Sequence, residues 1–389
     1  MTTRARCAEE MQKSLRPVAF SHFIDRLYAL RDRFLASQQF QRFSLVFPLT
    51  RRIARRQARA MFDLCAGFVY SQILSACVEL DLFQRLRDVP RTPEQLARDV
   101  GIPTDRLSRL LAGATSLKLL SRRRDGRYGL GMLGAALVGN PGVSAMIRHH
   151  AILYRDLQDP VRLLRGLDRP TELAKFWGYA GSEESEALNA DQVSAYSALM
   201  ASSQSFIAAD VLDAYRFDRH QCLMDVGGGE GAFIAAAAAK YPSLKFKLFD
   251  LPAVAKRAEA SLKTGGFGDR VAIHGGSFLD QPLPGGADLI SLVRVVHDHD
   301  DAVARWLLGA AYEALPIGGK LLIAEPMADV PGAEPIGGAY FGFYLLAMGT
   351  GRPRTAGEIA AMLRQVGFGP PQTLQTRHPM LVNALIATK

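Results

Sequence analysis

The run Leu223-Met224-Asp225-Val226-Gly227-Gly228-Gly229-Glu230-Gly231 constrains the fold more than any other segment of the chain. An apolar stretch that ends in an acid and runs into four glycines reads as a strand, a sharp turn and the start of a helix. Glycines at such a junction let backbone approach a ligand closely, and the helix that follows offers free N–H groups. A nucleotide-like ligand is implied.

The surrounding pattern agrees. From His220 onward, strands are expected at 221–226, 245–250, 270–274, 287–293, 319–325 and 382–388, with helices at 231–240, 252–263, 301–314 and 355–366. Near-continuous apolar strands separated by helices define an α/β domain with an open, largely parallel sheet, whose ligands bind beyond the carboxyl ends of the strands. The second strand ends in Phe249-Asp250-Leu251-Pro252, 19 residues after Gly231, which places a carboxylate where ribose hydroxyls are held. Gly227, Gly229 and Ala232 also satisfy the dinucleotide spacing G-x-G-x-x-A, so spacing alone leaves two cofactors open. Asp225 just ahead of the glycines, and the late start of this domain, favour S-adenosylmethionine over NAD. A pyrophosphate wants cationic or purely N–H surroundings, whereas a sulfonium-bearing amino acid tolerates carboxylates.

Beyond the fourth strand comes Arg294-Val295-Val296-His297-Asp298-His299-Asp300-Asp301. His297 stands at the right edge to accept a proton from a hydroxyl near neutral pH, as methyl transfer to oxygen requires. Two other readings compete. A histidine here can cap the helix at 301–314, a role that suits Asp298 or Asp300 better; a metal site lacks a further His/Cys cluster, and none is expected. Glu325 ends the next strand, where its carboxylate can fix the imidazole tautomer. Gly337–Gly349 then gathers Tyr340, Phe341, Phe343, Tyr344, Leu345, Leu346 and Met348. Such a stripe is core at helical spacing, or lines an apolar pocket beside the reacting end of the sheet.

With 389 residues the chain exceeds one typical domain of about 100 to 150, so a second folding unit is expected. Thr92 to Leu130 supplies it: a capped helix from Thr92-Pro93-Glu94-Gln95, a turn at Val100-Gly101-Ile102, a helix from Asp105 to Leu119, and a basic hairpin tipped by Asp125-Gly126. That is the outline of a winged helix, which by itself suggests a DNA-binding regulator using Arg122, Arg123 and Arg124. Residues 1–60 hold 13 Lys/Arg against 4 Asp/Glu, so the whole net charge of +9 lies in one N-terminal arm. A local electrostatic handle follows, and not a chain-wide nucleic-acid footprint. The arm reads as a helix packed on its own protein, or as one drawn to an anionic membrane surface. No apolar stretch is expected to reach the ~20 residues of a membrane span, Gly337–Gly349 included, and no secretory signal is evident in residues 1–20. Four cysteines without CxxC spacing fit a reducing compartment, so a cytoplasmic location is expected, with peripheral membrane contact through the basic arm.

With these residues assembled, the chain resembles the class I S-adenosylmethionine-dependent small-molecule O-methyltransferases over roughly residues 60–389. The resemblance implies a Rossmann-like methyltransferase domain (201–389), a mostly helical winged-helix dimerisation domain with its helical linker (61–200), and the basic arm (1–60). It also implies a homodimer without nucleic acid. The cofactor is held by Asp225, Gly227, Gly228, Gly229, Asp250, Leu251, Ser277 and Phe278; His297 is the catalytic base and Glu325 steadies it. Arg354-Thr355 opens the last helix as in that family. Three positions depart from its pattern: Ser277 replaces a carboxylate at the adenine, Val293 a frequent Lys, and Pro353 a second histidine-orienting Glu, which leaves a base held by Glu325 alone.

At finer grain the chain is similar to the carotenoid hydroxyl O-methyltransferases of purple photosynthetic bacteria. Phe62–Leu82, Arg127–Val143, Met146–His150 and Gly338–Thr355 carry that likeness. It implies methylation of a tertiary 1-hydroxyl on an acyclic carotenoid, in a pocket lined by Met200, Tyr340, Phe343, Tyr344 and Met348. A phenolic, polyketide or bacteriochlorophyll-pathway acceptor is the nearest alternative, and a winged-helix ligand sensor a remote one.

Overall fold

The computed structural model describes residues 23–167, 170–181, 204 and 207–389. The chain divides into two compact units, up to Leu74 and from Ser75 onward.

The first unit consists of helices 23–36 and Gln38–Val46 and most of Arg51–Glu79. The boundary expected after residue 60 falls inside this last helix, because a continuous helical pattern carries no turn signal there; the one expected after 200 lies outside the described residues. By length and composition Arg51–Glu79 could cross a membrane, which corrects the expectation that no segment is long enough. Its Arg-rich start masks the apolar run that follows.

In the second unit, α1 (Pro93–Val100) starts with a complete capping box: the Gln95 N–H donates to Thr92 Oγ1 at 3.3 Å, and the Thr92 N–H to Gln95 Oε1 at 2.9 Å. It stops at Gly101, which takes the left-handed conformation that L side chains disfavour. After α2 (Thr104–Ser116), β1 (Leu120–Arg122) and β2 (Tyr128–Leu130) form the expected antiparallel hairpin, and Arg91 bridges to Tyr128 as a third strand position. Helix, helix and wing are therefore as expected. Then come α3 (Pro141–Asp156) and α4 (Glu172–Gly181).

The rest is a doubly wound α/β domain. Its strands are β3 (Cys222–Val226), β4 (Lys245–Asp250), β5 (Val271–Gly275), β6 (Leu289–Val293), β7 (Lys320–Glu325), β8 (Gln372–Leu374) and β9 (Asn383–Thr388). They form one seven-stranded sheet in the order β5-β4-β3-β6-β7-β9-β8, parallel from β5 to β7, with β9 antiparallel to both β7 and β8. β8 was not expected. It has three residues, two of them exposed, too short for any periodic signal, and pairing with β9 alone holds it. Side chains alternate between two core layers. Ile290, Leu292, Leu321 and Ile323 pack toward α7 (Asp301–Ala314) and α9 (Ala356–Val366), while Leu289, Val293, Leu322 and Ala324 join the layer of α5 (Ala232–Lys240) and α6 (Pro252–Thr264). Each fully buried aliphatic side chain contributes about 1.5 to 3 kcal/mol. The chain winds outward from β3 to β4 on one side and crosses to β6 on the other. The carboxyl ends of β3 and β6 therefore flank the switch point, where ligands of open sheets bind.

Candidate active site

The strand ends at this switch point carry the expected residues. Asp225 closes β3, 1% exposed, and its Oδ1 accepts the Ser291 hydroxyl from β6 at 2.6 Å. Burial pushes its carboxyl up to about 7, against the Ser291 hydrogen bond and with the help of nearby Asp250. Gly227 has φ +69° and Gly229 φ +56°. A Cβ on Gly227 would lie 2.8 Å from Val295 Cγ2, and one on Gly228 2.7 Å from Asp225 Oδ2; at Gly229 nothing lies within 4 Å. The loop is pressed against the sheet on one side and open on the other. At the end of β4, Asp250 Oδ2 accepts the Gly229 N–H at 2.8 Å and Oδ1 the Leu251 N–H at 2.7 Å. Burial raises the Asp250 pKa while these two N–H groups oppose it. Open space before Gly229, bordered by a carboxylate fixed in place, fits a ribose-bearing ligand.

Leu251 is half-exposed at the same edge. Ser277 and Phe278 follow β5, on the next loop outward. Ser277 Oγ accepts the Leu279 N–H at 3.2 Å, and the Phe278 ring meets His299 edge-on at 5.4 Å between centroids. His299 is thereby occupied in packing. Among the described residues no group of three His, Cys, Asp or Glu side chains gathers to hold a metal ion.

His297 occupies a 3₁₀ turn, Val296–Asp298, just past β6, and is 4% exposed. Its Nε2 lies 3.0 Å from Asp298 Oδ1 and its Nδ1 3.5 Å from Glu325 Oε2, which also accepts the His297 backbone N–H at 3.0 Å. Glu325 is fully buried, and neither its Oε1 nor His297 Nδ1 has a hydrogen-bond partner. Burial alone would push the imidazole down; the two carboxylates outweigh it and raise the ring to about 9. The expectation of a base held by Glu325 alone is thus corrected, because the 3₁₀ turn folds the next residue's carboxylate back onto the ring. Capping of α7 belongs to Asp300, whose Oδ1 accepts the N–H groups of Ala302 and Val303.

Sequence reasoning missed what holds this turn. Arg354 is fully buried; it donates to Val296 O and His299 O, each at 2.8 Å, and to Asp301 Oδ1. Gly351, with φ +81°, passes so close to the His297 carbonyl that any Cβ would collide with it, and the next N–H, that of Arg352, donates to that carbonyl at 3.0 Å. An isolated arginine before a helix gives no sign of this clasp. Arg294 is also unanticipated: it is a non-glycine residue at φ +58°, in the turn just before the histidine. Strain of this kind concentrates at functional sites.

The aromatic stretch folds as a π-helix, Pro335–Phe341, continuing into α8 (Gly342–Met348). Tyr340 and Tyr344 face α3. The Tyr340 hydroxyl lies 2.8 Å from His150 Nε2; Tyr344 accepts the Trp177 indole N–H at 3.0 Å and lies 2.8 Å from His149 Nε2. Burial lowers both histidines, His149 to about 4, and raises both tyrosines, Tyr340 to about 12, which favours the neutral form of each. Phe341, part of the aromatic stripe but not of the expected pocket lining, stands 6.1 Å from the His297 ring between centroids. Met348 is half-buried in this cluster, while Phe343 is 37% exposed; Met200 lies outside the described residues.

The fold and these strand ends define a nucleotide-binding α/β domain with a buried histidine, bracketed by two carboxylates, at its ligand-binding edge. The O-methyltransferase domain family matches residues 154–369 and the O-methyltransferase dimerisation domain residues 62–140. The chain belongs to the O-methyltransferase family: it is an S-adenosylmethionine-dependent O-methyltransferase, and its winged-helix segment is the module through which it forms a homodimer. It is 44% identical over 365 residues to demethylspheroidene O-methyltransferase of Cereibacter sphaeroides, covering 93% of this chain and 95% of that one. Against the enzyme of that name from Rhodobacter capsulatus the identity is 40%, over 92% and 88%. The solved structure of human N-acetylserotonin methyltransferase in complex with SAM superposes with a TM-score of 0.70 at 25% identity, covering 86% of this chain and 97% of that one. Coverage of 93% leaves too few residues unmatched to exclude the first 60, so the Cereibacter alignment enters the basic arm.

Proposed function

We propose that this enzyme methylates the tertiary 1-hydroxyl of an acyclic carotenoid, with His297 as general base. The observation that carries the base assignment is the buried imidazole bracketed by Asp298 and Glu325 at the carboxyl edge of β6. When bound, S-adenosylmethionine supplies an electrophilic methyl group on a sulfonium. Gly229 would leave room for its close approach to the backbone, the tightly packed Gly227 and Gly228 would hold the turn beneath it, Asp250 would hold the ribose hydroxyls, and Leu251, Ser277 and Phe278 would serve the adenine end. Asp225 borders the same loop as an acid.

A tertiary alcohol is a poor acid, so its proton leaves in or near the methyl-transfer step and not beforehand. For the acceptor hydroxyl to reach Nε2, the half-exposed Asp298 carboxylate has to yield its place. Glu325 remains at Nδ1 and stabilises the imidazolium as the proton arrives. The remaining acceleration comes from holding acceptor and methyl donor in line away from water.

The acceptor class is supported by the two demethylspheroidene relatives and by the aromatic wall. The hydroxyls of Tyr340 and Tyr344 pair with His150 and His149, which leaves ring faces and not donors for a ligand. Met348, Phe343 and Met200 complete the proposed pocket.

The test is a methyl-transfer assay with labelled S-adenosylmethionine, offering a 1-hydroxy acyclic carotenoid in detergent beside a panel of phenols. Label is expected in the carotenoid, and His297→Ala should lower turnover by about 10² to 10⁴ with cofactor affinity retained. Label confined to a phenol overturns the acceptor; equal loss of turnover and cofactor affinity overturns the base.

A further inference from the structure

The arm ahead of the dimerisation domain presents two opposite surface chemistries. In helix 23–36, Phe23, Leu27, Leu30 and Phe34 recur at helical spacing on one face, and each is 50% exposed or more. Phe43, Val46 and Leu49 extend the apolar surface. In Arg51–Glu79, a turn of 3.6 residues brings Arg51, Arg52, Arg55, Arg56 and Arg59 within about 140° of arc. Ile53, Met61 and Leu64 point the opposite way, each more than 60% exposed. All five arginines are exposed, and among the described residues only Arg59 approaches a carboxylate, Asp63 at 3.8 Å.

A surface both strongly apolar and strongly cationic is costly in water and calls for a partner. A second copy of the arm would cover the apolar face but leave the opposite-facing arginines without a counter-charge, and the dimerisation match begins only at residue 62. A nucleic acid would satisfy the arginines and leave the phenylalanines and leucines wet. We propose that residues 23–60 dock this enzyme onto an anionic lipid bilayer, lying in the interface with guanidinium groups at the headgroups and the apolar face at the acyl boundary. Helix 23–36 has 14 residues, about 21 Å, short of the ~30 Å of a hydrocarbon core, so it lies on the membrane and does not span it. The apolar continuation of Arg51–Glu79 falls within the dimerisation domain and is assigned to the dimer. That docking also delivers the acceptor rests on the carotenoid reading, since a long polyene partitions into lipid; the docking itself does not.

The test floats the full-length protein with vesicles of phosphatidylcholine alone, or of phosphatidylcholine mixed with phosphatidylglycerol. Binding is expected only to the mixed vesicles, and high salt should release it. Replacing the five arginines with glutamine should cut partition at least 100-fold, at about fivefold for each charge near the surface. The Phe23→Ser, Leu27→Ser, Leu30→Ser, Phe34→Ser variant should fail to float even at low salt. Both variants should keep the melting temperature and the methyl-transfer rate on detergent-dissolved acceptor. Failure of the native protein to float overturns the proposal. So does a fall in particle mass by light scattering in the serine variant with no vesicle binding in the native protein, which assigns the face to a second copy. Flotation without any carotenoid methylation leaves docking supported and defeats only the acceptor assignment.

Discussion

Asp298 Oδ1 lies 3.0 Å from Nε2 of His297, the ring nitrogen opposite the one that faces Glu325. One carboxylate is fully buried, the other 39% exposed. On the proposed function, an acid therefore stands at the nitrogen that the acceptor would approach.

This arrangement predicts an alkaline activity profile. With its pKa raised to about 9, His297 stays protonated through neutral pH, and the base form appears as pH climbs. The kcat/KM for methyl transfer should rise toward a limb near pH 9, and Asp298→Asn should move that limb down toward the ordinary histidine range. The stability linked to this group runs the other way: it is complete below about pH 6.5 and lost as pH rises through 9. A limb that stays in place in Asp298→Asn would remove that carboxylate from the titration.

Arg354 joins the turns on either side of His297 to α9. Arg354→Met should cost on the order of 2 to 4 kcal/mol, because it leaves the buried Val296 carbonyl and the part-buried His299 carbonyl without their donor and Asp301 with one partner fewer. Urea unfolding measures it. A loss below about 1 kcal/mol would show that Arg352, which also pairs with Asp301, carries the clasp.

The His149–Tyr344 pair predicts acid sensitivity. Burial depresses His149 to about 4, so its contribution is complete above the ordinary value of about 6.5 and drains away as pH falls toward 4. Melting temperature followed between those limits should fall in the native enzyme and flatten in His149→Phe. Parallel curves would locate the acid limb elsewhere.

Gly227→Ala places a methyl group 2.8 Å from Val295 Cγ2 at a backbone angle that L residues resist. It should destabilise the protein by about 1 to 3 kcal/mol and weaken S-adenosylmethionine binding. Val295→Ala in the same chain should recover part of the stability by clearing the clash, with the backbone strain left in place. Thermal melts and calorimetric titration of the double variant separate the two terms.

Much of this enzyme was legible in its residues, because the signals that decide it are local. Asp225-Val226-Gly227 has to turn where it does, since glycine alone tolerates that backbone beside Val295, and β6, apolar but for Ser291, has to be buried on both faces. Capping residues set the ends of α1, α7 and α9 in the same way. What the sequence could not show depends on atoms brought together across long separations. Asp298 turns back on His297 only because Arg354 and Gly351, more than fifty residues later, hold the 3₁₀ turn in place. The partners of Tyr340 and Tyr344 come from α3, some 190 residues earlier in the chain, and β8 exists only because β9 offers it an edge. Residue type and spacing determined the alternation of strands and helices and the histidine just past the fourth strand; tertiary structure decided how two carboxylates surround that histidine and raise its pKa, because a pKa depends on distance and burial, which no linear pattern encodes.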